Sequence, residues 1–232
     1  MKKIISISLC IAAISLCSCK KEKKAPEEEA PVEATTPTTY PNYSNLKVGN
    51  YWIYERFVVD PSGNATSINI IDSCYVEKDT TINGNVYHKY MSPSIGYPNL
   101  NPTIQYPSYP QYLRDSLSYL VNASGWILFS SENFTTEFKT SVYVQPPTDT
   151  VWVYTNKMGD KDLSFTTPLG TFTTSSMQDI YKMYPNYNSC TNNIRIIDTR
   201  YAENIGKISQ GFQFFAGICN HHEARLIRYH LD

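Results

Sequence analysis

Hydrophobic and polar residues alternate along most of this chain with a period near two, and no long segment repeats at the helical spacing of 3.6. Asn50 to Asp60 reads as a first strand, and Pro61-Ser62-Gly63-Asn64 turns it back. Ala65 to Asp79 is a second strand, with Ile68, Ile70, Cys74 and Val76 broadly alternating against polar neighbours. Asn83-Gly84 follows between Thr81-Ile82 and Val86-Tyr87-His88, the strongest short-range hairpin signal, since a type I′ turn needs positive φ at both central residues. A second hairpin is expected at Leu117 to Val121, turn Asn122-Ala123-Ser124-Gly125, and Trp126 to Ser130. Further strands are expected at Ser141 to Val144, Val151 to Thr155, Leu163 to Thr167, Phe172 to Tyr184, Ile194 to Asp198, Ile205 to Gln210, Phe212 to Phe215 and Ala224 to His230. At most a short helix or turn fits near Phe134 to Thr136 or Tyr201 to Asn204.

This pattern predicts an all-β fold. Tyr, Thr, Ile, Val and Ser are abundant and turn dipeptides recur about every ten residues, which is the habit of antiparallel sheet proteins. Tight turns join consecutive segments, so sequential pairing is expected over long crossings. Such a meander must bury one face and manage its edges, either by curling into a half-barrel or barrel or by folding into two packed sheets. The expected form is a strongly curved sheet.

The N-terminus departs from the alternation. Met1-Lys2-Lys3 leads into an apolar run from Ile4 to Leu16, then Leu16-Cys17-Ser18-Cys19. The run is shorter than the roughly 20 residues that span a bilayer, and a basic start before a short apolar segment marks an export signal. A Cys directly after Leu-x-Ser is the bacterial lipobox, which makes Cys19 the expected lipidation site. Cys17 fits less well, because the residue preceding it is the bulky Leu16. Two or three acyl chains, at about 0.8 kcal/mol per buried methylene, would make attachment near permanent. Residues 1–18 therefore read as a leader and 19–39 as a lipidated tether of Lys, Glu, Pro, Thr and Ala, too poor in large apolar groups to order itself. Residues 40–232 read as one β domain. The residue after Cys19 is Lys20 rather than Asp, so the Asp-type inner-membrane retention signal is absent and the outer membrane is the expected address. Loss of Lys2 and Lys3 lowers 20 basic groups to 18 against 21 acidic ones, a formal charge of −3 that argues against nucleic acid as a partner.

Leu46-Lys47-Val48-Gly49-Asn50-Tyr51-Trp52, Asp79-Thr80-Thr81-Ile82-Asn83-Gly84, Thr167-Pro168-Leu169-Gly170-Thr171-Phe172 and Tyr201-Ala202-Glu203-Asn204-Ile205-Gly206-Lys207-Ile208 occur in this order along the domain. In them the chain resembles uncharacterised envelope lipoproteins of Bacteroidota. The resemblance implies an all-β envelope lipoprotein with no agreed activity, and these turn and strand segments speak for a shared fold more than a shared site.

Candidate chemistry is sparse. The stretch from Ser92 to Tyr112 resembles an expanded loop in which Tyr97, Tyr106, Tyr109 and Tyr112 alternate with prolines, so stiff backbone would display rings for a sugar face or a partner protein. The same rings folded back would simply close one end of the sheet. Cys190 and Cys219, each in a polar loop beside a late strand, are the natural disulfide pair in an oxidising compartment, and Cys74 reads as a buried apolar residue. Cys219-Asn220-His221-His222-Glu223 crowds zinc-type ligands, but adjacent His on a strand point to opposite faces, so no metal site and no cofactor are expected. No Gly-x-Ser-x-Gly, His-Glu-x-x-His or phosphate-cradling loop is present. The expected function is a non-catalytic binding or scaffold domain for a glycan, a lipid or an envelope protein, at a membrane reached through the lipid anchor. The alternative is an envelope hydrolase pairing two carboxylates from Asp72, Glu77, Asp115, Glu132 and Asp179.

Overall fold

The computed structural model describes residues 39–93, 108–213 and 219–232. Their strands are β1 Tyr51–Val59, β2 Ala65–Ile82, β3 Asn85–Pro93, β4 Ser108–Ser116, β5 Tyr119–Asn122, β6 Ile127–Ser130, β7 Glu137–Gln145, β8 Asp149–Met158, β9 Leu163–Thr167, β10 Gly170–Met183, β11 Ile194–Ala202, β12 Gly206–Gln213 and β13 His221–His230. The one helical element among the described residues is the 3-10 turn Pro185–Tyr187.

Every pairing is antiparallel, in the order β6-β5-β4-β3-β2-β1-β13-β12-β11-β10-β8-β7, with β9 added to the start of β10. Sequence neighbours lie side by side except at β6–β7 and β8–β9, and the first strand also pairs with the last through Tyr51↔His230 to Val59↔His221. The result is an up-and-down sheet of twelve strands, nearly closed into a barrel and broken at one seam, between β6 and β7. Placing the opening mid-chain joins the two termini of the domain by a full ladder.

Alternation sets which face is buried. Trp52, Tyr54 and Arg56 of β1 and Asp72, Cys74 and Val76 of β2 are inside, while Ser73, Tyr75 and Glu77 between them are exposed. Tyr90, Leu113, Leu120, Phe129, Met158, Tyr201, Ile208 and Leu226 join them in one core fed from around the sheet. A membrane-spanning barrel has the reverse arrangement, with its apolar band outward. Phe129 of β6 packs on Tyr201 of β11 at 4.6 Å between ring centroids, a contact of side chains from strands that share no ladder.

Turn chemistry explains the strand ends. Asn83 and Gly84 take φ of 49° and 77°, the pair of positive values a type I′ hairpin demands. Asn122 Oδ1 accepts the N–H groups of Ser124 and Trp126 at 3.0 and 2.9 Å, which folds β5 back toward β6. Gly206 has φ of 108°, and a Cβ there would lie 3.1 Å from Trp52 Nε1. Trp52, 1% exposed, donates from Nε1 to Ile205 O at 2.8 Å and pins β1 to the β11–β12 turn.

Two expectations are corrected. The Ser92 to Tyr112 stretch is not wholly a loop, because Ser92 and Pro93 end β3 and Ser108 to Tyr112 begin β4, held by Ser92↔Tyr109 and Lys89↔Tyr112. The strands expected at Ile205 to Gln210 and from Phe212 are one, β12, which starts at Gly206 and runs through both, with Ile205 left in the preceding turn. Gly211 is paired with Glu223 inside it, and a Cβ at Gly211 would fall 2.7 Å from Ile197 Cγ2. Phe134 to Thr136 and Tyr201 to Asn204, read as at most a short helix or turn, carry a bend at Thr135 and a turn at Glu203 and Asn204.

Candidate binding cavity at the sheet seam

Where β6 and β7 part, the barrel interior opens into a cavity of about 430 Å³. Register builds its floor in two rows on the inner face. One row runs Lys139, Asn156 and Asp179 across β7, β8 and β10, and the other runs Met177, Thr199 and Gln210 across β10, β11 and β12. Trp126, Ile127 and Leu128 form one lip and Phe138 the other. The volume falls in the range of small-molecule sites, roughly 300–1,000 Å³. A second cavity, beside Tyr43, Ser44 and Asp115, has only about 110 Å³.

The seam is bridged by a charge on a ring instead of by backbone bonds. Lys139 Nζ of β7 sits 3.8 Å from the Trp126 ring centroid and 5.8 Å from that of Tyr154. Trp126 is 57% exposed, so this contact stands at the mouth. Such a contact contributes about 0.5–1 kcal/mol where water reaches it, and either partner can exchange it for a ligand at little cost.

Inside, Asp179 is clamped on one oxygen. Tyr154 Oη and Asn156 Nδ2 both donate to Oδ1, at 2.6 and 2.7 Å. Oδ2 has no protein donor among the described residues and remains an acceptor. Burial, reinforced by the Asp179 hydrogen bond and charge, pushes the Tyr154 hydroxyl well above its ordinary range, so it stays a donor. Tyr181, beside Tyr154 at 5.1 Å between centroids, is pushed up to about 12, first by burial and then by Asp179.

Lys207 also lines the cavity, so although surrounded by protein it keeps accessible surface. Its ammonium donates to Gln210 Oε1 at 2.7 Å and lies 5.7 Å from the Tyr90 ring centroid. Burial holds its pKa below that of an ordinary lysine.

The residues singled out in the sequence distribute differently. Tyr97, Tyr106 and Cys19 lie outside the described residues. Tyr109 and Tyr112 sit on β4 opposite Ser92 and Lys89, three positions apart and thus on opposite faces, and neither lines the cavity. Cys190 and Cys219 are joined as a disulfide and Cys74 is a buried thiol. His221 and His222 are neighbours on β13, and among the described residues no three His, Cys, Asp or Glu side chains converge on a metal position. The carboxylates are scattered: Asp72 pairs with Arg56, Glu77 with Lys89, Asp115 accepts from Ser44, and Asp179 alone of the five lines the cavity. Lys207, Lys139 and Trp126 were not legible as a site. A bulge between Arg200 and Tyr201, opposite Lys207, breaks the alternation that would have marked Lys207 as inward.

No protein-family model matches the chain, and no curated protein matches it significantly. Among solved structures it is similar to a Bacteroides fragilis protein described as exported and of YmcC-like fold, at 11% identity and a TM-score of 0.46, covering 82% of this chain and 99% of that one. It is also similar to a Parabacteroides distasonis protein described as a lipoprotein, at 13% identity and a TM-score of 0.41, covering 83% of this chain and 100% of that one. Likeness this distant does not carry function to the present chain.

Proposed function

We propose that this chain is a lipoprotein of the bacterial cell envelope, held through acyl groups on Cys19, whose β domain binds a small amphipathic molecule without transforming it. The leader and the lipobox at Leu16-Cys17-Ser18-Cys19 support the anchor, and Lys20 supports the outer membrane as its address. The cavity at the seam carries the binding reading. It combines aliphatic and aromatic walls with amides and one acceptor carboxylate, which suits a sugar or a lipid end group better than a protein surface. A lone carboxylate speaks for binding, since glycoside hydrolysis ordinarily uses two across the bond.

The test is a panel of lipids and oligosaccharides offered to the full acylated chain, alongside Thr199→Phe, which places a ring in the cavity. Binding that falls at least ten-fold in Thr199→Phe, at an unchanged unfolding midpoint, is the expected result. Ligands indifferent to that ring would place recognition elsewhere and end the reading.

A further inference from the structure

We propose that the ligand of this cavity is an organic carboxylate or phosphate whose anionic group docks on Lys207, with Lys139 as a second cation at the mouth. The inference rests on the binding reading above and adds the charge of the ligand.

The charges around Lys207 do not balance within the protein. An ammonium has three donors, and an ionised group taken from water without a counter-charge costs several kcal/mol. Lys207 makes one hydrogen bond, to a neutral amide, and no ion pair among the described residues. The acidic groups around it are committed elsewhere or uncharged. Asp72 is held in a two-pronged pair by Arg56. Asp179 is bound by Tyr154 and Asn156. Burial raises the Cys74 thiol and the Tyr54, Tyr90 and Tyr201 hydroxyls above their ordinary values, so these neighbours are neutral.

Counting Lys139 and Lys207 against Asp179, the charged residues lining the cavity leave one positive charge over. The arrangement is complementary to a monoanion. Around it, Ile127, Leu128, Phe138 and Met177 offer apolar surface for the body of the ligand, and Asp179 Oδ2, Asn156 and Gln111 offer positions for hydroxyls. A fatty acid and an acidic sugar share the head group and differ in which of these walls they use.

Isothermal titration of the full acylated chain in nanodiscs, with empty discs subtracted, separates the cases. The probes are sodium octanoate and sodium glucuronate, matched by octanol and glucose. At least one acid should bind ten-fold or more tighter than its neutral match, and Lys207→Met should remove that preference while Lys207→Arg keeps it. Octanoate alone binding identifies the acyl arm, and glucuronate alone the sugar arm. Lys207→Met should also raise the urea midpoint, because it deletes an uncompensated buried charge; a merely structural lysine would lower it. Equal binding of acids and neutral matches, or an acid preference that survives Lys207→Met, overturns this inference and leaves the binding reading standing. No binding by any of the four overturns both. If Lys207→Met fails to fold, the comparison of acids with neutral matches and the Lys207→Arg titration decide alone.

Discussion

Removing one partner of the Arg56–Asp72 pair should be among the most damaging single changes in the β domain. The two side chains are 1% and 6% exposed, on neighbouring strands inside the barrel. Arg56 donates from Nε to Asp72 Oδ2 at 2.5 Å and from Nη2 to Oδ1 at 2.8 Å. Arg56→Met leaves a carboxylate in the interior without its fork of donors. Asp72→Leu takes from the buried guanidinium the carboxylate that accepts from both Nε and Nη2. Breaking such a pair costs about 3–5 kcal/mol, whereas replacing both members by apolar groups is often neutral or stabilising by about 1–4 kcal/mol. For a domain of this size each kcal/mol corresponds to about 2–4 °C, so the single variants should melt about 6–20 °C lower. Arg56→Met/Asp72→Leu should recover most of that loss. The assay is urea unfolding at pH 7.5, with the four proteins forming a double-mutant cycle and unchanged m-values confirming a stability effect. Single variants losing less than about 1 kcal/mol, the value of an exposed pair, would refute the claim that this pair is held out of water.

Other outcomes follow from single features. Gly206→Ala puts a Cβ against Trp52 at a φ of 108° and should lose about 1–3 kcal/mol by denaturant unfolding; an unchanged midpoint would mean that the Trp52 contact is not fixed. Burial, opposed in His221 mainly by the Glu223 charge and reinforced in His222 by Arg56, depresses the folded-state pKa of both imidazoles below 6.5. The unfolded chain then binds more protons at and below that pH, so their contribution to stability is full above pH 6.5 and falls as acid takes the pH toward the folded values. His221→Gln/His222→Gln should flatten the loss of stability between pH 7.5 and 5.5, and an identical slope would contradict the assignment. Cys190→Ser/Cys219→Ser opens a loop with a sequence separation of 29 and should cost about 3 kcal/mol by chain entropy, read as a lower urea midpoint.

The strands that sequence revealed best are those whose turns carry their own chemistry. Asn83-Gly84 marks β2 to β3 and the Asn122 to Gly125 turn marks β5 to β6, because positive φ and Asn side-chain caps are local requirements. β4 was hidden for the converse reason. Its opening Ser108-Tyr109-Pro110 resembles loop composition, and only pairing with β3 makes it a strand. Gly211 likewise reads as a break, yet it serves close approach of β11. The cavity was less legible still. It depends on two rows of side chains brought into register across five strands and on a bulge that reverses the alternation at Lys207, neither of which is a local property. Aromatic residues drew attention to Tyr109 and Tyr112, but Trp126, beside an ordinary-looking turn, is the ring that reaches the mouth.

The most direct test of a ligand held at the seam is photo-crosslinking in living cells from p-benzoylphenylalanine placed at Phe138, on one lip of the cavity. Mass spectrometry of the recovered protein should show a small acidic adduct that disappears with Thr199→Phe. Recovery with no adduct, or with only protein-sized adducts indifferent to Thr199→Phe, would contradict the account.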